Sequence, residues 1–386
     1  MAGVLTSHHI KFVEEKLRSA VEELLFELIR VTIGRQNSLS RILSSGEWQD
    51  LFALSQKHAI IGVTFAGVRK LQQNGQGIPS DLYWQWLGLS SHIQQCNEVM
   101  NAHCVEACNR LQQTGFKTCI LKGQGVAQLY GSDLSMLRQS GDIDLWVDGG
   151  IKRAMAWAKE NYGDVAFEYI NAHVPMFNET EVELHWRVKY MSNLFKNRKL
   201  QNWIEEHEDE LVNTTIELPN GVGSIPVPSL ALNRYYILLH CYSHIFSEGL
   251  GLRQIMDLYF VLAQNNPNNS KDTEFKKFFL DSLGLRKFAS AMMWIMGYVF
   301  GLEREKMLCE PDEKEGIYIL NEVMQNGNMG QHDHRIIRVS KNARIQSVAA
   351  SIQHTWHLAT HYPSEFLWTP IYIVFHFCWK RICVRC

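Results

Sequence analysis

The stretch Gly141-Asp142-Ile143-Asp144-Leu145-Trp146-Val147 constrains this chain more than any other. Its apolar alternation predicts a strand over Asp142–Val147. Side chains two apart on a strand share a face. Asp142 and Asp144 therefore fall on one side, and Ile143, Leu145 and Val147 fall on the other. Such a strand needs a sheet with one apolar face packed on a core and one face that tolerates two carboxylates side by side. Close carboxylates repel unless a cation sits between them. Magnesium suits them, because it prefers oxygen ligands and keeps positions open for phosphates. Two such ions about 3.5–4 Å apart can clamp both oxygens of a phosphoryl displacement.

A second acidic strand lies downstream, Glu181-Val182-Glu183-Leu184-His185-Trp186. Glu181, Glu183 and His185 share one face, so either glutamate can supply a third carboxylate if this strand pairs with the first. His173 and His185 are read as groups supporting the carboxylates rather than as metal ligands. Upstream, Thr118 to Leu121 is a short apolar strand ending at Lys122-Gly123, and Gln124 to Tyr130 has the character of one or two helical turns. Free N–H groups at such a helix start favour phosphate. Arg138 and Ser140, just before the aspartates, are placed to hold a triphosphate.

The flanks are helical. Residues 8–115 hold apolar residues at helical spacing, among them Phe12, Val13, Leu17, Val21 and Leu24, and a long helix is expected from Leu82 to about Gln113 behind a Ser80-Asp81 cap. That helix carries His92, Cys96, Cys104 and Cys108. Zinc motifs usually pair ligands across a turn, so these are read as core residues. Helix Ile151–Asn161 follows the aspartates. Strands are then expected over Val165–Ile170, His173–Phe177 and Glu181–Val188, the last two forming a hairpin at Asn178-Glu179. A charged helix spans Leu200–Leu211, and Pro219-Asn220-Gly221 marks a second hairpin. Helices resume at Leu230, broken at Gly249–Gly251, with a solvated loop at Asn265–Lys271. The expected fold class is α+β: a small mixed sheet at 117–227 between an N-terminal helical region, 1–116, and a C-terminal helical bundle, 228–386.

The formal charge of −2 gives no global basic field, so no specific nucleic-acid partner is expected. Nine scattered cysteines without a CxxC pair suit reduced thiols and a cytoplasmic protein. The N-terminus lacks the basic and apolar regions of a signal peptide, and no run of 18 apolar residues is present. The tail FLWTPIYIVFHFCWKRICVRC is too short to span a membrane. It is read as a helix docked on the core in preference to one lying on a lipid surface.

The ordered set LKGQGVAQLY, Arg138, GDIDLWV and VELHWRV resembles the nucleotidyltransferase superfamily related to DNA polymerase β. More narrowly, it resembles a largely uncharacterised bacterial nucleotidyltransferase family in which Lys-Gly replaces Gly-Ser, and it is similar to lincosamide nucleotidyltransferases in its glycine, helix and D-I-D-L spacing. The later piece with His244, Arg253 and Asp257 resembles that family's helical part. The resemblance implies Asp142, Asp144 and Glu183 as ligands of Mg²⁺ or Mn²⁺, with Glu183 doubling as ligand or base. It places Lys122, Gly123, Arg138 and Ser140 around the phosphates of an NTP. Arg253 is read in two ways, as facing the cleft with Asp257 orienting it, or as a surface pair with Asp257. Gln124 stands where the superfamily has serine, which shifts phosphate gripping toward Lys122 or Arg138. The implied activity is transfer of an NMP to a small-molecule, glycan or protein hydroxyl. The alternatives are a non-catalytic nucleotide- or partner-binding module and an antitoxin-like transferase that modifies a protein.

Overall fold

The computed structural model describes residues 20–265, 270–337, 339–341 and 343–383. Phe12, Val13 and Leu17, most of the Asn265–Lys271 loop, and the last three residues lie outside them. The chain opens with helices α1 (residues 20–32), α2 (Ser45–Lys57), α3 (Ile61–Gln73) and α4 (Ser80–Gln113). Helix α4 is the long helix expected from the sequence, although Ser80 and Asp81 are its first residues and Pro79 precedes it. Its Cys104 and Cys108 are buried in the core as free thiols, and Cys96, Cys119, Cys241, Cys309 and Cys378 are free as well.

Strands β1 (Thr118–Ile120), β2 (Ile143–Val147), β3 (Ala166–Phe167), β4 (Asn171–Val174) and β5 (Val182–His185) form one mixed sheet in the order β1-β2-β5-β4-β3. Only β2 and β5 run parallel. The fold is therefore α+β. Between β1 and β2 lie the one-turn helix α5 (Gln124–Ala127) and a loop; α6 (Gly150–Tyr162) follows β2. Ile143, Leu145 and Val147 are buried with Val182 and Leu184 in an apolar layer against α4 and α6. Burial of each such side chain is worth about 1.5–3 kcal/mol, and it fixes which face of β2 carries the carboxylates.

The strands after α6 are shorter than the apolar runs suggest. The run Val165–Ile170 is cut by a turn, with Glu168 N–H donating to the Asn171 carbonyl at 2.8 Å. Pro175 has no N–H and stops β4 at Val174, so the β4–β5 hairpin closes through a longer loop than Asn178-Glu179 alone. Helix α7 (Leu194–Glu206) starts earlier than expected because Asn193 caps it, accepting from the Phe195 and Lys196 N–H groups. A further turn, α8 (Asp209–Val212), leads to the hairpin β6 (Thr214–Leu218) and β7 (Gly223–Val227), whose turn falls at Pro219–Gly221 as the sequence indicates.

Helices α9 (Leu230–Ser247) and α10 (Leu252–Ala263) are followed by α11 (Ser270–Lys276), α12 (Arg286–Phe300), α13 (Glu313–Asn326), α14 (Ala343–His357) and α15 (Pro363–Cys383). The N-terminal helices and α9–α13 share one apolar core that includes Leu25, Trp48, Trp86, Tyr235 and Phe300. No helix among the described residues is long and apolar enough to cross a membrane.

Candidate active site

The parallel pairing of β2 and β5 sets Asp144 directly beside Glu183. His185, two residues on, points to the same face. Its Nε2 lies 3.0 Å from Asp144 Oδ1 and 3.1 Å from Glu183 Oε2. Asn171 on β4 donates to Glu183 Oε2 at 2.6 Å. Asp142 precedes β2 and is joined to Asp144 through Lys122, whose Nζ is 2.7 Å from Asp144 Oδ2 and 3.6 Å from Asp142 Oδ1. The three carboxylates thus meet around two cationic groups, one from the turn after β1 and one from β5.

The charges perturb one another in a consistent direction. Burial would raise the Asp144 carboxyl, but Lys122 and the His185 hydrogen bond outweigh it and hold it well below the usual carboxylate range. Asp142, farther from Lys122 than Asp144 is, is pushed up by the charge of Asp144 and by burial, which outweigh the pull of Lys122. Glu183 is lowered, its burial outweighed by the bond from His185. Burial opposes the imidazolium of His185, yet hydrogen bonds to Asp144 and Glu183 lift it to about 9. Lys122 is likewise raised by Asp144 and Asp142 against the cost of burial.

Two ligand sets stand here. Asp144, Glu183 and His185 bring donor atoms within 4.8 Å of one another, and so do His173, Glu181 and Glu183. Glu183 belongs to both. Asp142 belongs to neither. The sequence reading treated His185 as a supporting group; the structure puts it between the two carboxylates. Its signal was in the sequence, since His185 shares the Glu183 face.

The turn after β1 is built on glycine. Gly123 has φ +58°, a region that favours glycine. Gly125 touches β7: a Cβ there would sit 2.9 Å from Val227 Cγ1. Gln124, which replaces the serine of the wider superfamily, is buried and donates to Asn101 Oδ1 at 2.6 Å, and its Oε1 is 2.5 Å from the Ser140 hydroxyl. Ser140 Oγ also lies 2.6 Å from Asn97 Oδ1, and Asn97 Nδ2 donates to the Met136 and Arg138 carbonyls. This network ties α4, α5 and the loop together. Gln139 and Ser140 also border a groove of about 400 Å³, walled by Gln56, Ile61, His92 and Cys96.

Arg138 is not free to grip a phosphate. It is buried, and its Nε and Nη2 each donate to Asp257 at 2.7 Å, in a bidentate pair that Tyr130 completes with a 2.7 Å bond to Asp257 Oδ1. Asp257 therefore belongs to Arg138. It is neither a surface partner of Arg253 nor the group that orients it. Arg253 donates instead to the Gln139 carbonyl at 3.1 Å, while its buried Nε has no hydrogen-bond partner among the described residues.

The wall opposite the carboxylates comes from α9 and the segment after β5. Tyr236, His240 and His244 repeat at four-residue spacing on one face of α9, with the His240 and His244 rings 4.3 Å apart. Burial, then the charge of Asp144, raises the Tyr236 hydroxyl well above its usual range. His240 is held neutral by burial, then by His244, Lys189, Lys122 and Arg253, and its Nδ1 has no partner among the described residues. Lys189, four residues past β5, is pulled down by burial and by Lys122. Sequence reasoning missed Lys189, which no local pattern distinguishes.

A family model described as uncharacterised nucleotidyltransferase matches residues 44–301, about two thirds of the chain. The chain belongs to that nucleotidyltransferase family. No curated protein and no solved structure matches it.

Proposed function

We propose that this protein transfers a nucleoside monophosphate from an NTP to an acceptor hydroxyl, releasing pyrophosphate, with Asp142, Asp144 and Glu183 as its metal-binding and catalytic carboxylates. The observation that carries the reading is the β2–β5 register, which sets Asp144 against Glu183 beside Lys122 and His185. The donor set fits a divalent ion, because carboxylate oxygens predominate among Asp144, Glu183 and His185, whose donor atoms lie within 4.8 Å of one another. Mg²⁺ or Mn²⁺ bound there supplies charge that polarises a phosphoryl group and orients the triphosphate.

The chain's own groups do the rest. Lys122, Lys189 and Arg253 surround the carboxylates with positive charge, which stabilises the oxygens of the triphosphate as the bond breaks. Gly123 holds the turn that aims Lys122. Arg138 acts as a positioning residue: locked on Asp257, it fixes the loop that delivers Ser140 and Asp142. The groove beside Gln139 and Ser140 gives a small-molecule, glycan or protein acceptor a way to reach that loop. In this reading 117–227 is the catalytic core and the helical parts, 1–116 and 228–386, close it.

Calorimetric titration of each NTP in the presence of Mg²⁺ or Mn²⁺ tests the proposal. Wild type is expected to bind at least one NTP only with metal, and Asp144→Asn, folded by circular dichroism, is expected to lose that binding. A wild type that binds no NTP with either metal overturns the reading, as does an Asp144→Asn variant that binds as well as wild type. Pyrophosphate release over a panel of acceptors then separates an enzyme from a binding module.

A further inference from the structure

Helix α15 buries a mixed polar and aromatic face and leaves an apolar face outside. Glu365, Thr369 and Tyr372 face the core and are nearly inaccessible, and His376 and Lys380 on the same side reach Glu168 in the turn after β3. Tyr372 stacks on Tyr190 with ring centroids 4.4 Å apart, and Trp379 packs edge-on against Tyr169. The opposite stripe holds Leu367, Ile371, Val374, Phe377 and Ile382, each between 47% and 66% exposed. These five repeat at three, four and five residues, so they form one continuous face. A helix with only water on that side carries polar residues there.

The neighbouring helix α14, which packs against α15, also exposes apolar residues, with Ile352 and Trp356 at 37% and 65%. Contiguous apolar surface of this kind marks a contact with something other than water. Charge indicates what that is. From His334 to Cys386 the sequence carries seven Lys or Arg and one acid, Glu365, in a chain whose overall formal charge is −2. Glu365 is buried, and Arg335 and Lys380 are occupied by Glu322, Asp333 and Glu168. Lys341, ahead of α14, and Arg381, on α15 over the Phe377 ring, remain exposed. No described helix is long and apolar enough to cross a bilayer, so an embedded face would lie in the plane of the surface.

We propose that the exposed face of α15, flanked by α14, seats this protein on an anionic lipid surface. The apolar stripe enters the boundary between headgroups and acyl chains, and Lys341 and Arg381 meet lipid phosphates. This inference is independent of the chemistry proposed for the carboxylate site, whose residues it does not use. The tail is docked on the core, as the sequence leads one to expect, and also presents a second face.

Cosedimentation of the full chain with vesicles tests it. Binding to phosphatidylcholine vesicles containing phosphatidylglycerol is expected to exceed binding to phosphatidylcholine alone and to weaken with added salt. Leu367→Glu with Val374→Glu, both on the exposed face and therefore compatible with folding, is expected to lower the bound fraction roughly tenfold or more with an unchanged thermal melt. Lys341→Glu with Arg381→Glu is expected to remove only the preference for anionic vesicles. Failure of wild type to sediment with either vesicle overturns the proposal. So does sedimentation velocity showing a dimer that the Leu367 and Val374 substitutions return to monomer, because the face then joins two copies of this chain.

Discussion

Lys122 gives the acidic site a counter-charge of its own. Its ammonium lies between Asp142 and Asp144, a position that a divalent ion would also favour. Removing one partner from a buried charge cluster leaves the rest uncompensated, which costs about 3–5 kcal/mol. Lys122→Met is therefore expected to destabilise the metal-free protein by about that amount in urea unfolding. Millimolar Mg²⁺ should restore part of the loss, because it takes over the neutralisation. A Lys122→Met protein as stable as wild type without metal would show that the ammonium contributes no net stabilisation. The Arg138–Asp257 pair makes a second test. Asp257→Ala strands a buried guanidinium and should cost about 3–5 kcal/mol, whereas Arg138→Met with Asp257→Leu should recover much of it. The site residues divide by how local their signal is. The faces on which Asp142, Asp144 and Glu183 lie were legible, because side chains alternate along a strand with period two. The Arg138–Asp257 bond was not, because it joins residues 119 apart in the chain through the packing of α10 on α5 and the loop.

At the scale of elements, the helices were the most legible part. Their apolar spacing and breaks, such as Gly249 to Gly251 between α9 and α10, mark where each begins and ends. The short strands were less so, because β3 and β4 are cut by a turn and by Pro175, and their apolar runs continue beyond the hydrogen-bonded residues. Sheet order was not legible either. The parallel β2–β5 pair brings together Asp144 and Glu183 across more than 35 residues, and only the fold shows it. Helix α5 packs so closely on β7 that a Cβ on Gly125 would meet Val227 Cγ1 at 2.9 Å and the Ile120 carbonyl at 3.2 Å. Gly125→Ala should cost about 1–3 kcal/mol through overpacking. The shift should also loosen the Lys122 turn, so NTP affinity should fall with stability. Gly125→Ala together with Val227→Ala, which relieves the nearer contact, should return part of both in paired thermal melts and titrations.

At the scale of the molecule, one core joins the N-terminal helices to α9–α13, and a buried histidine at that junction is expected to make its stability sensitive to acid. His58 closes α2 and is fully buried, with neither ring nitrogen hydrogen-bonded among the described residues. Beside it, Lys57 Nζ donates to the Met324 carbonyl of α13 at 2.6 Å, so this corner fastens the N-terminal helices to the C-terminal ones. Burial, with smaller contributions from Lys57 and His332, lowers the imidazole to about 3. In the unfolded chain it titrates near 6.5. Between those values the unfolded state binds a proton that the folded state refuses, so folding stability must fall as pH falls. The contribution is fully present above about 6.5 and is lost progressively toward about 3, at up to about 1.4 kcal/mol per pH unit. His58→Leu places an apolar side chain of similar volume, with no titratable group, in that position. It should flatten this part of the profile, so that urea midpoints measured from pH 7 to pH 4 decline less steeply than in wild type. Parallel profiles for the two proteins would mean that His58 gains a proton without unfolding the corner, and that other groups set the acid limit.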